Sequence, residues 1–204
     1  MRSCKPGSLG LVCRLLLCLL IVAATAVSCS SRTDYTPKPR GYFRIEPPVP
    51  SYVSLPLDEL PYSFNISSEV TVELPPVGDP VGWINLAYPS LGAKIYCSYI
   101  PIRKGDLHTV MEESRSLVIR QSRNVQSITE QAYDNDLLKV YAVLFQLEGN
   151  TPSPIQFTVT DSATRFFRGA LYYNRVSNID SLAPVTQYVK ADIMELIQSF
   201  SWQN

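Results

Sequence analysis

Hydrophobic and polar positions divide the chain into stretches with different periods. Leu15 to Val27 is a run of thirteen small or apolar residues, preceded by a start that carries Arg2, Lys5 and Arg14. From Trp83 onward polar and apolar residues alternate, the period of a half-buried strand. WINLAYP and AKIYCSYI, joined by PSLG with its Pro89 and Gly92, predict a hairpin. Leu107, Val110, Met111, Leu117 and Val118 then recur at helical spacing and predict a helix from Asp106 to about Arg123, with Asp106 as its cap. Alternation returns in VQSITEQAY, LKVYAVLFQLEG, PIQFTVTDS and RFFRGALYYN. The links DND, NTPSP and SAT are short, so neighbouring strands are expected to run antiparallel. Val185, Tyr188, Val189, Ile193, Leu196, Ile197 and Phe200 form the apolar stripe of a last helix, about Leu182 to Phe200. Asp180 or Ser181 is its expected cap, with Pro184 tolerated in the first turn.

Ten of the sixteen prolines lie between Pro37 and Pro80. Each fixes one backbone angle and removes one donor, so this region is neither a long helix nor a central strand. Residues 41–80 read as a strap with short edge strands at GYFRI and YSFNI. EVTVEL, Glu69 to Leu74, alternates more regularly and is the better strand. Strap and core (81–204) together predict a single α+β domain: a mostly antiparallel sheet of about six strands covered by two helices. The order of elements resembles the PsbP/Mog1-like fold, a likeness of architecture that carries no function.

The apolar run near the start is too short for a bilayer, which takes about 20 helical residues. It fits the h-region of an export signal over residues 1–28. The run ends in AVSC, which resembles the lipobox of bacterial lipoproteins with Ala26 where leucine is usual, so Cys29 is the expected lipidation site. An ordinary signal peptide with a nearby cysteine is the alternative. Residues 29–40 then comprise the lipidated cysteine and an extended tether. SSRTDY after Cys29 lacks the acidic cluster of many surface-exposed Bacteroidetes lipoproteins, which points to a periplasm-facing anchor in the cell envelope and leaves the membrane open. Loss of the leader removes Cys4, Cys13 and Cys18. Cys97 is then the one unmodified cysteine, too few for a disulfide framework or a thiolate metal site. The 18 basic residues fall to 15 against 18 acidic ones, a net charge of −3 that argues against nucleic acid as a partner.

Catalytic patterns are sparse. His108, the one histidine, sits in the first turn of the predicted helix without a nucleophile motif beside it, and GxSxG, HExxH and a glycine-rich phosphate loop are all absent. DND at 134–136 lacks the glycine and distal glutamate of a calcium loop. Glu112 and Glu113 fall on a helix face that is polar in any case. No catalytic, metal or cofactor site is expected, and a hydrolase with dispersed acids is a third possibility only. The strand at Arg165 to Asn174 places Phe166, Arg168, Ala170 and Tyr172 on one face and Arg165, Phe167, Gly169, Leu171 and Tyr173 on the other. Arg168 among aromatics suits a partner anchor, with Tyr172 beside it; a structural arginine paired with an acid is the competing reading. Gly169 permits a bulge or a close approach.

YTPKPRGYFRI, WINLAYP, SPIQFTVTDS, RGALYYN and DSLAPV occur in that order, and the set resembles the gliding-motility-associated lipoprotein GldD family of the Bacteroidetes from about Tyr35 to Trp202. The resemblance implies an envelope lipoprotein needed for gliding and for the associated type IX secretion apparatus, with no established activity or cofactor. Its partners would be other envelope proteins of that machinery, and the membrane through the N-terminal lipid. In PKPRGYFRI, Lys38, Arg40 and Arg44 alternate with Tyr42 and Ile45, as in an extended segment docked along a surface. Lys38, Arg40, Tyr42 and Arg44 are therefore contact candidates, on the chain's own domain or on a partner. The expected role is a non-catalytic accessory or assembly factor. The alternative is a periplasmic lipoprotein binding a small ligand, lipid or glycan, which requires a concave apolar pocket between sheet and helix.

Overall fold

Alternation of side chains translates into strands wherever one face is buried. The computed structural model describes residues 48–76, 78–103, 105–122, 125–174 and 179–203, with backbone alone at 179–181. Its strands are β1 (Tyr52–Ser54), β2 (Tyr62–Ser63), β3 (Asn65–Ser67), β4 (Thr71–Glu73), β5 (Ile84–Tyr88), β6 (Ala93–Pro101), β7 (Val125–Asn135), β8 (Val140–Gly149), β9 (Ile155–Thr160), β10 (Arg165–Tyr173) and β11 (Ser201–Trp202). Helix α1 spans Leu107–Gln121 and α2 spans Ile179–Gln198. Seven strands form one antiparallel sheet in the order β4–β5–β6–β10–β9–β8–β7. Helix α1 carries the chain from β6 to the far edge, and β7 to β10 then meander back to pair with β6.

The fold class is the α+β one expected, and seven strands answer to the expected sheet of about six. The predicted EVTVEL strand forms one edge: it pairs with β5 through Thr71 to Glu73 and is followed directly by Pro75 and Pro76. Proline cannot donate to a ladder, so this edge closes after three residues. YSFNI divides in two: Tyr62–Ser63 pairs with β11 and Asn65–Ser67 with β1. Phe64 between them is buried beside Tyr62, and both rings meet Phe167 and Phe200 at 4.7–5.9 Å. The Tyr62 hydroxyl donates to the Gly82 carbonyl at 2.6 Å, so its polar end is satisfied inside the core. The leader, Cys29, the GYFRI segment, and Lys38, Arg40, Tyr42 and Arg44 lie outside the described residues.

The two helices lie on opposite faces of the sheet. On β10, Phe167 and Leu171 face α2 and the main core, while Phe166 and Ala170 face the α1 side. Val185, Val189, Ile193 and Phe200 of the predicted stripe are each 0 % exposed, and full burial of such a side chain contributes about 1.5–3 kcal/mol. Helix α2 starts earlier than expected. Asp180 and Ser181 lie within it rather than at a cap, and Pro184 sits inside the helix. Burial of the stripe offsets the one backbone bond that this proline removes. Helix α1 is held much less firmly. Asp106 occupies the cap position without a side-chain capping bond, and only Ser114 and Val118 are buried. Val118 packs on Phe145 and Leu147, while Met111 and Leu117 of the predicted apolar face stay exposed. Among the described residues that helix packs mainly on β8 to β10 and leaves the β4-to-β6 part of its face uncovered.

Gly169 marks a close approach, not a bulge. The β10 pairings with β6 and β9 run without a register shift. A Cβ at this position would lie 2.2 Å from Cε1 of Phe157, a core ring that is itself fully buried.

Candidate functional site

The open part of the α1 face is a groove of about 820 Å³ over β5, β6 and β10. Its walls come from three directions. Pro75, Pro76 and Asp79 follow β4, Trp83 and Asn85 open β5, and Asn174 closes β10. Register supplies the floor: Arg168 of β10 lies across from Ser98 of β6, and Ala170 lies across from Tyr96. Even-numbered β10 residues all point this way, so the strand puts Arg168 and Tyr172 into the groove together.

Arg168 is half-buried, and its guanidinium is held by amides. Nη2 donates to Oε1 of the buried Gln156 at 2.7 Å. Gln156 Nε2 donates to Gln121 Oε1 at 2.9 Å, and Gln121 Nε2 to the Tyr172 hydroxyl at 2.9 Å. The relay ties β10 and β9 to the last residue of α1. No described carboxylate pairs with Arg168, so the expectation of a structural arginine–acid pair is replaced by an arginine–amide one. Its Nε is buried with no partner among the described residues. Burial lowers the affinity of the guanidinium for its proton, partly countered by Tyr172, yet arginine remains charged at any ordinary pH. Tyr172 meets Tyr96 edge to face at 5.6 Å. Lys94 lies 5.9 Å from the Tyr96 ring centre and is bound at 2.7 Å to Glu73, so its charge is already paired.

Gln121, Gln156, Trp83, Asn85, Tyr96 and Ser98 belong to this site and were not singled out from the sequence. Their signal exists only in cross-strand register, which a single sequence does not display. Of the six contact candidates, the structure brings Arg168 and Tyr172 together.

A second polar cluster lies inside the core. Asp192 of α2 is buried, and the Tyr52 hydroxyl donates to its Oδ1 at 3.0 Å. Burial pushes the Asp192 pKa up, while the Tyr52, Tyr88 and Ser67 hydroxyls act in the opposite direction without cancelling it. Oδ2 has no well-formed hydrogen bond. The Tyr52 pKa rises to about 12, first through burial and then through the Asp192 charge. No groove described above reaches this carboxylate, which joins α2 to the strap. Cys97 points into the main core, and burial pushes its thiol well above the usual range. His108, Glu112 and Glu113 are exposed on α1. Among the described residues no group of three His, Cys, Asp or Glu side chains could hold a metal, and no helix is long and apolar enough to cross a membrane.

The interface between the sheet and α2 is packed. The apolar pocket that a lipid-binding reading placed there is reduced to a hollow of about 270 Å³ at the rim, lined in part by Leu147, Tyr173 and Thr186. The larger concavity is on the opposite face, and its lining is mixed, with Pro75, Pro76, Trp83 and Ala170 beside Asn85, Ser98 and Arg168.

Fold and groove together describe an antiparallel α+β domain with one sheet face packed against α2 over its central strands and the other partly open. The chain belongs to the gliding motility lipoprotein GldD family, whose family model matches residues 32–202. It is thus a lipoprotein of the gliding-motility-associated class, as the ordered motifs implied. Among solved structures it is similar to the solution structure of cyanobacterial PsbP (CyanoP) from Synechocystis sp. PCC 6803, at 12% identity and a TM-score of 0.47 over 76% of this chain and 95% of that one. No curated protein matches it.

Proposed function

We propose that this lipoprotein is a non-catalytic accessory or assembly factor for gliding motility and the associated type IX secretion apparatus. It is tethered through a lipidated Cys29 and faces the periplasm. The observation that carries the reading is the edge of β7, with which no other described strand pairs. This strand has eleven residues, pairs with β8 on one side, and is exposed at most positions on both faces. A long edge presents a row of unpaired backbone donors and acceptors, and natural sheets usually blunt such edges with proline, lysine or brevity. The β4 edge is blunted in this way, whereas β7 lacks proline and lysine and runs in regular register from Ser127 to Asn135 after one irregularity at Val125–Ser127. An extended segment of another envelope protein can add here as an eighth strand. Lipid tethering confines the encounter to two dimensions, so modest contacts suffice. Lys38, Arg40, Tyr42 and Arg44 supply a second contact in this proposal.

The test is crosslinked affinity purification from native membranes with wild type, Ala132→Lys on the β7 edge, and Arg40→Ala. Ala132 is exposed, so the lysine leaves the fold intact and blunts the edge. Wild type is expected to capture motility or secretion components and Ala132→Lys to lose most of them. Capture of none by wild type refutes the proposal, and so does unchanged capture by both variants.

The groove favours a second reading, the ligand-binding one. Its lining mixes aromatic and proline surface with amides, a hydroxyl and one guanidinium, a combination that suits a glycan.

A further inference from the structure

We infer that the groove over β5, β6 and β10 binds an acidic saccharide, with Arg168 taking the sugar carboxylate and Tyr96 and Tyr172 holding the ring. The inference rests on the ligand-binding reading of the groove and names its ligand class.

The charge of the ligand follows from Arg168. A guanidinium is a planar fork that matches a carboxylate with two parallel hydrogen bonds. Here Nη2 donates to Gln156 at 2.7 Å, Nε is buried with no partner among the described residues, and no described acid neutralises the charge, so the edge formed by the two Nη atoms is the one left to a ligand. Burying a charged group without a counter-ion is costly, and the cost is recovered when a ligand brings the opposite charge. The Gln156–Gln121–Tyr172 relay fixes the arginine before binding, so little ordering remains to be done. Arg168 is the one described cation lining the groove, and Asp79 lies at the exposed rim. One positive charge facing one negative rim suits a monoanionic carboxylate and disfavours a dianionic phosphate.

The rest of the ligand follows from what the floor lacks. Each of β5, β6 and β10 lies inside the sheet with a neighbour on both sides over most of its length, so the floor offers little free backbone edge to an added peptide strand. The available readers are side chains: the Asn85 and Asn174 amides, the Ser98 hydroxyl, and the rings and hydroxyls of Tyr96 and Tyr172. Amides and hydroxyls that both donate and accept match a ring bearing several hydroxyls. Flat aromatic rings with a polar end cover its apolar face. A carboxylate on a hydroxyl-rich ring meets all of these groups at once.

The test is isothermal titration calorimetry of the mature lipoprotein in detergent with trigalacturonate, the neutral galactose trimer and a triglutamate peptide. The titration is repeated with Arg168→Gln and Tyr96→Ala, and folding of both variants is checked by circular dichroism. Tyr96 is 49% exposed, so its removal leaves the core untouched if Arg168→Gln proves unstable. Trigalacturonate is expected to bind, with the neutral trimer about tenfold weaker or worse and Arg168→Gln losing about as much. Tyr96→Ala is expected to weaken binding several-fold. Equal binding of the neutral trimer, or full retention in both folded variants, overturns the carboxylate assignment while leaving a ligand groove. Equal binding of triglutamate with the same Arg168 dependence overturns the saccharide assignment. Failure of every saccharide to bind overturns the inference and the ligand-binding reading together. The assembly role has its own readout in the capture experiment.

Discussion

Replacement of Gly169 by alanine tests how tightly the main core is filled. The new methyl would stand 2.2 and 2.3 Å from two atoms of the Phe157 ring and 3.1 Å from a third. Real carbon contacts of this kind do not occur, so the ring or the strand must move. The ring has little room to do so: Phe157 is 0 % exposed and lies 6.1 Å from the Phe167 ring, which in turn packs on Tyr62 and Phe200. Overpacking of a well-filled core costs typically about 1–3 kcal/mol. With two atoms inside 2.5 Å, the upper end of that range is expected. At about 2–4 °C per kcal/mol for a chain of this size, melting should fall by about 4–12 °C. The assay is a double-mutant cycle by urea denaturation, with Phe157→Leu as the second site because it removes the offending ring atoms. The double variant should be more stable than the sum of the two single changes by about 0.5–3 kcal/mol. Additivity, or a Gly169→Ala protein as stable as wild type, would refute the claim that Phe157 is why a glycine stands there.

Two further outcomes follow from buried titratable groups. The Asp192 pKa is raised in the fold, so the native state holds its proton across a window in which the unfolded chain has released it. Stability from this group is therefore present below the ordinary carboxylate value of about 3.9 and is lost as pH rises through the raised native value. Asp192→Asn should gain on wild type as pH rises through that window, read from urea midpoints between pH 3.5 and 7; a constant or shrinking difference sinks the reasoning. The Cys97 thiol is 3% exposed with a raised pKa, so a thiol reagent such as DTNB should leave it unmodified in native protein and react fully in guanidinium. Rapid native labelling would show that the β6 strand opens.

Side-chain periodicity alone determined the long strands from Ile84 to Tyr173, the two helices and the α+β class, because a strand shows a period of two and a helix 3.6 wherever one face is buried; the two- and three-residue strands β1 and β11 are too short to show a period. It also determined that Arg168 and Tyr172 share a face of β10, since alternation within one strand needs no partner. The ordered motifs carried the family. Tertiary structure decided everything that depends on neighbours distant in sequence. Arg168 meets Gln156 and not an acid because β9 lies beside β10 in a particular register. Gly169 is small because Phe157 lies across from it. Helix α1 has the apolar spacing of a covering helix, yet it buries Ser114 and Val118 only and stops short of β5 and β6. The groove exists through that shortfall, and β7 is the edge of the described sheet through the meander that places it last. Local pattern reports which face of an element is apolar. Which element comes to rest against that face, and which is left bare, is set by chain crossings and packing that only the folded molecule brings about.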